Sequence, residues 1–92
     1  MEGQRQRTYV KVISVFDNTG FMQPKKIIWN NGRVSEIEKV QDFRPSSCIE
    51  HGLPGDCYTI MIGGEKRLLF FERSDKRFSS TFGRWFFEDY EV

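Results

Sequence analysis

Between Gly55 and Glu72 the chain reads GDCYTIMIGGEKRLLFFE, two apolar runs of strand length on either side of a glycine pair. Aromatic, β-branched and long apolar side chains fit a pleated, half-buried surface, so residues 58–62 and 68–71 are expected to form one β-hairpin. A two-residue loop with glycine first, Gly64-Glu65, suits a type II′ turn because that position needs positive φ. The implied register sets Ile62 opposite Arg67, Ile60 opposite Leu69 and Tyr58 opposite Phe71. Cross-strand partners share a face, so one face carries Tyr58, Ile60, Ile62, Leu69 and Phe71 and the other Thr59, Met61, Leu68 and Phe70. Both faces are substantially apolar. A sheet with one wet face alternates more cleanly, which puts this hairpin at the centre of a closed or sandwiched sheet, or beneath a loop or a partner.

The chain is 92 residues long, enough for a single core that buries about two-thirds of the unfolded chain's surface. Aromatic residues make up 15% of it and nine are Phe, so the core is expected to be built of rings. With 14 Lys plus Arg against 13 Asp plus Glu there is no global field to draw in nucleic acid, an acidic substrate or an anionic membrane. The charge is uneven along the chain. Residues 1–33 hold Arg5, Arg7, Lys11, Lys25, Lys26 and Arg33, whereas residues 88–92 carry acids alone. No apolar run approaches the roughly 20 residues of a membrane span, and the start MEGQRQR has no signal-peptide core. A cytoplasmic location is the expectation, and with it two reduced cysteines, Cys48 and Cys57.

In chain order, residues 1–7 read as a disordered tail and residues 8–92 as a single β domain. Residues 8–16 alternate as a first strand, with Val10, Val12 and Phe16 on one face and Tyr9, Ile13 and Val15 on the other. Asp17-Asn18-Thr19-Gly20 reads as a turn. Pro24 then leads into a second strand, residues 25–30, since proline is tolerated at a strand's first residue. Asn31-Gly32 signals a type I′ hairpin pairing Asn30 with Arg33, Trp29 with Val34 and Ile28 with Ser35. Residues 34–43 fit either a helix, by the spacing of Val34, Ile37 and Val40, or a strand bulged near Glu38 that brings Ile37, Val40 and Phe43 into use. The turn launches the segment directly and no cap precedes it, which favours the strand. Residues 48–56 and 73–83 read as loops, the second long and mobile, and residues 84–87 as the last strand. The sum is an all-β fold: a single small antiparallel barrel or roll of about six strands in meander order, an SH3-like barrel being one such closure.

Taken together, Pro24, the IIWNNGR segment ending at Arg33, the IEKVQDFRP segment ending at Pro45, the central hairpin and the Trp85-Phe86 pair resemble a group of short bacterial proteins of uncharacterised function. Those proteins share a W-x-[DN]-G-R hairpin, a K-V-x-D-x-R segment, a G-x-x-Y-T strand and a terminal W-F. The resemblance spans nearly the whole chain and departs from it in the longer connection over residues 73–83 and in the tail after Glu88. It implies one compact β domain and carries no activity.

Four chemistries can be weighed on the residues. Cys48, His51 and Cys57, with Asp56 near, have separations that can reach one tetrahedral metal ion, but structural zinc ordinarily draws four ligands from paired knuckles, and a buried thiol at a strand's start is ordinary. No metal and no cofactor is expected. Cys48 and His51 as nucleophile and base lack an oxyanion site and an orienting group, and no phosphate-cradling loop occurs, so no enzyme is expected. Single-stranded nucleic acid could stack on aromatics beside a basic track, and Lys25, Lys26, Trp29, Arg33, Arg84 and Trp85 are the candidate binding residues, with Tyr9, Phe86 and Lys11 in support. A protein-interaction module, homo-oligomeric or with another protein as partner, accounts for the surplus apolar face more simply. The first reading requires clustered cations around a solvent-facing ring; the second requires an apolar surface patch.

Overall fold

A computed structural model describes residues 4–46, 55–74 and 82–91. Seven strands form one sheet: β1 (Gln4–Phe16), β2 (Met22–Ile28), β3 (Val34–Glu36), β4 (Lys39–Arg44), β5 (Asp56–Ile62), β6 (Glu65–Arg73) and β7 (Gly83–Glu91). Their order across the sheet is β3-β2-β1-β7-β6-β5-β4, antiparallel throughout. The result is a strongly curled half-barrel, mostly in meander order. Its two outermost strands are consecutive in the chain, so the link Ile37-Glu38 reaches from one edge to the other. The Ile37 N–H donates to the Lys25 carbonyl at 2.9 Å and the Glu38 N–H to the Met61 carbonyl at 2.8 Å. Those two bonds draw the edges together and set the curl.

The segment from Val34 is therefore extended, as expected, and breaks at Ile37-Glu38 instead of bulging within one strand. That break, with an irregularity between Val40 and Asp42, turns Ile37, Val40 and Phe43 onto the core. It also makes seven strands of the six anticipated. β1 is longer than expected as well. It starts at Gln4, so residues 4–7, read as tail, pair with β7, and Arg7 sits opposite Glu88. The basic start and the acidic end of the chain are strand neighbours.

Two turns differ from their sequence expectation. The central hairpin turns through Gly63-Gly64, both at positive φ (55° and 78°), and pairs Ile62 with Glu65, Ile60 with Arg67 and Tyr58 with Leu69. Two consecutive positive-φ residues make a type I′ turn, whose twist matches the flanking strands. Since each partner moves by two positions, every side chain keeps the face assigned to it. In the β2–β3 connection no residue but Gly32 takes positive φ, which rules out type I′ at Asn31-Gly32. The loop is three residues closed by bonds between Trp29 and Arg33 (2.8 Å) and between Gly32 and Trp29 (2.9 Å). That shift of one reverses the faces of β3: Val34 lies opposite Ile28 and is exposed, while Ser35 lies opposite Ile27. Pro24, expected at the first position of a strand, is instead inside β2 and fully buried beside the bulge at Lys25, where the ladder needs no donor.

The concave face holds the core: Val10, Ile27, Tyr58, Ile60, Leu69, Trp85 and Phe87. A second, smaller cluster lies on the opposite face of β5, β6 and β7, where Cys57, Phe70 and Phe86 are buried with Tyr9 against them. The two apolar faces of the central hairpin are thus used unequally. Leu68, on the outer face, is half exposed.

Candidate functional site

The open mouth of the half-barrel is lined by rings. Asp17 builds one lip: its Oδ1 accepts the N–H of Thr19 at 2.8 Å and of Phe21 at 3.0 Å, and Gly20 at φ 86° closes the loop. The hydroxyl and amide of Thr19 hold the Asp17 carboxyl below its ordinary range, so the anchor stays anionic at neutral pH. Phe21 is thereby aimed inward, where it meets Phe43 edge-on at 5.2 Å between centroids and Tyr58 at 6.0 Å. Contacts of Phe43 with Tyr58 (4.8 Å), Tyr58 with Trp85 (5.3 Å) and Trp85 with Phe71 (4.8 Å) continue the floor. The Tyr58 hydroxyl donates to the Met22 carbonyl at 2.9 Å, a strut between β5 and β2. Burial pushes its pKa up to about 12, with Asp56 adding to the effect.

The space enclosed is about 870 Å³, within the range of ligand-sized clefts. At its rim stand Phe16 and Phe82, 70% and 91% exposed. Its polar groups are engaged with one another. Buried Asp56 accepts the Ser46 N–H at 2.9 Å and the Arg73 Nε at 2.8 Å, and no buried side-chain polar atom among the described residues lacks a partner. A cleft of this kind can hold apolar groups by shape and desolvation. Among the described residues of its lining, none presents an activated nucleophile beside a base.

The six residues proposed from the sequence do not gather on one surface. Lys25 and Lys26 are exposed on β2, with Lys26 3.6 Å from Glu36. Arg33 is exposed at the end of the β2–β3 turn. Trp29 packs into the core, stacked on Phe87 at 5.3 Å and donating its indole N–H to the Ser35 hydroxyl at 2.8 Å. Arg84 and Trp85, adjacent on β7, point to opposite faces: Trp85 is buried in the concave core and Arg84 is outside.

The supporting residues Tyr9 and Phe86 do meet Arg84 on the outer face, at 5.5 Å from each other. Their rings are already covered. The Arg84 guanidinium lies 4.1 Å from the Tyr9 centroid and that of Arg7 lies 4.5 Å from Phe86, which is itself fully buried. Glu72 accepts from both arginines, at 2.9 Å from Arg7 and 2.8 Å from Arg84, and the hydrogen bond from Arg84, with the charges of both arginines behind it, holds its carboxyl below the ordinary range. Glu88 lies 3.8 Å from the Arg7 Nε, so two carboxylates balance the two arginines in a neutralised cation–π network.

Of the Cys48, His51 and Cys57 constellation, Cys48 and His51 lie outside the described residues. Cys57 is buried beside Phe70 and Phe86, and burial pushes its thiol pKa up, the opposite of an activated thiolate. Among the described residues no group of three metal-ligating side chains occurs.

Phe16, Phe21, Phe71 and Phe82 were not singled out as site residues by sequence. The available signal was position: Phe16 directly precedes the DNTG turn and Phe82 directly precedes Gly83, so each ring sits where a strand ends and the core no longer covers it. No protein family, curated protein or solved structure matches this chain.

Proposed function

We propose that the chain is a non-catalytic protein-interaction module whose binding element is the aromatic mouth, and that it receives bulky apolar side chains from an extended segment of a partner protein. One observation carries this reading. Phe16 and Phe82 are 70% and 91% exposed at the rim of a cleft already floored by rings, and exposing two phenylalanines beside an apolar cavity is costly unless something covers them. A small ligand would be enclosed by the floor alone; projecting rim rings extend the apolar surface outward to meet a second macromolecule. The alternative, single-stranded nucleic acid on a basic-aromatic face, requires accessible ring faces, and the outer-face rings carry arginines instead.

The experiment is selection of a random peptide library on the immobilised wild-type chain, with counter-selection on Phe82→Ser. Phe82 is nearly fully exposed, so the variant keeps the wild-type melting temperature. Enriched peptides carrying Phe, Trp, Leu or Met and losing binding on Phe82→Ser are expected. Peptides that bind both proteins equally, or enrichment of oligonucleotides and not peptides in a parallel selection, would refute the proposal.

A further inference from the structure

Resting on the mouth as the binding element, we propose that it continues into a basic seam between β2 and β4, and that the partner's extended segment carries a carboxylate about four residues from the bulky apolar side chain it places in the mouth. β3 and β4 follow one another along the side of β2 away from β1. Val34 to Glu36 pair with Ile28 to Lys26, and the Ile37 N–H still reaches the Lys25 carbonyl at 2.9 Å. Beyond that bond the two sides part. Among the described residues β4 has β5 as its strand neighbour and the start of β2 has β1, with no ladder between them. The sides meet again at the mouth, where the Phe21 and Phe43 centroids are 5.2 Å apart.

A cleft of about 390 Å³ lies in this seam, and Phe21 lines both it and the mouth. Lys25 and Lys39 line it from opposite sides, and both are exposed. The Lys25 amine donates to the Gln23 amide oxygen at 3.2 Å, and neither lysine has a carboxylate partner among the described residues. Neighbouring cations differ: Lys26 is 3.6 Å from Glu36 and Arg44 is 3.3 Å from Asp42. Glu38, the acid of the lining, accepts the Gly64 N–H at 2.7 Å. Two amines therefore stand against one carboxylate that is already engaged by a turn.

The spacing is the same on both sides. Phe21, just before β2, and Lys25 are four residues apart, and so are Lys39 and Phe43 on β4. Four residues of extended chain cover about 13 Å. Each side of the seam thus carries a ring at its mouth end and an amine at its far end. A peptide lying extended along it matches that span with four residues of its own, so Asp or Glu four positions from a Phe, Trp, Leu or Met reaches the amines while the apolar side chain fills the mouth. Complementary charge of this kind adds specificity to a pocket that holds its ligand by apolar contact. A peptide can place a single carboxylate there. A phosphate chain carries a charge at every nucleotide and would also run past Glu38 and Asp42.

The test is to select a random peptide library on the immobilised wild-type chain, on the double variant Lys25→Glu/Lys39→Glu and on Lys25→Gln/Lys39→Gln, with an oligonucleotide library in parallel. Both lysines are exposed, so thermal midpoints stay close to wild type and a change in selection is not unfolding. On the wild type, Asp or Glu is expected about three to five residues from the bulky apolar residue, at about threefold or more above its frequency in the starting library, less so at high salt. That enrichment disappears on the Gln variant and gives way to Lys or Arg on the Glu variant, while the apolar residue is kept on all three. Apolar residues enriched with no acid at that spacing, or with the same acid on all three proteins, would overturn the inference and leave the mouth as the binding element. Peptides enriched for acid with no bulky apolar residue would sink the reading of the mouth and this one with it. Oligonucleotides captured by the wild type and lost on the Glu variant would assign the seam to nucleic acid and overturn the proposal.

Discussion

Replacing Tyr58 by Phe removes one atom from the strut between β5 and β2 and leaves the ring contacts in place. The hydroxyl donates to the Met22 carbonyl at 2.9 Å from a side chain that is only 2% exposed. Losing a buried hydrogen bond and leaving its acceptor short of a partner costs about 1.5 kcal/mol, which for a domain of this size is a fall of roughly 6–12 °C in Tm. The same hydroxyl makes a second, opposite contribution in alkali. Its pKa rises from an ordinary 10.0 to about 12 in the folded chain. Below pH 10 both states hold the proton and the stability it brings is fully present. Between pH 10 and 12 the unfolded chain releases the proton and the native chain does not, so the native state loses on the order of 2–3 kcal/mol relative to the unfolded. Tyr58→Phe has no such proton to lose. The two stability curves, measured by urea denaturation from pH 7 to 12, are therefore expected to cross near about pH 11, with the variant the more stable above it. Equal stability at pH 7, or a gap between the proteins that stays constant through pH 12, would refute the reasoning.

Gly83→Ala would set a Cβ about 2.5 Å from the Phe71 ring and against the Glu72 carbonyl; backbone cannot yield there, so a loss of at least about 2 kcal/mol is expected by chemical denaturation. Glu72→Gln frees Arg7 and Arg84 from a half-exposed anion and costs under about 1 kcal/mol at neutral pH, less in high salt. Because the Glu72 carboxyl titrates below its ordinary 4.5, its contribution is present above that value and lost as pH falls through the folded one, so the variant's acid limb is flatter in a pH series of thermal melts. Cys57, buried with a raised thiol pKa, is expected to resist iodoacetamide at pH 8 in the native chain and to react once urea unfolds it, read by peptide mass mapping.

Strand identity was legible in the sequence wherever alternation was long. Which residues of β1, β5 and β6 share a face follows from alternation, but with both faces apolar the sequence does not say which of them holds the core; Val10, Tyr58, Ile60 and Leu69 lie on the face that does. Turn geometry was less legible, because one composition suits several loops. Gly63-Gly64 admits two positive-φ turns, and the twist of the strands decides between them. Asn30-Asn31-Gly32 admits a two- or a three-residue loop, and the packing of Trp29 on Phe87 and Ser35 accompanies the longer one. The joining of the two edges at Ile37-Glu38 is a long-range event with no local signature. Neither is the pairing of residues 4–7 with β7, which depends on a strand more than seventy residues away. The mouth was hidden for a related reason. Composition shows that rings are abundant, but whether Phe16 or Phe82 is core or rim depends on where the curled sheet ends. Trp29 and Trp85, the obvious candidates, are anchors because large rings fill the widest part of a small core.

The most direct test of the mouth as the binding element is a heteronuclear NMR titration of the isotope-labelled chain with N-acetyl-phenylalanine amide. Saturable shifts confined to the amides of Phe21, Met22, Phe43, Tyr58, Phe71 and Gly83, in the wild type and in Phe82→Ser alike because the floor alone encloses a ligand of this size, are the expected result. Shifts centred on Tyr9, Arg84 and Phe86 instead, or none that saturate, would contradict it.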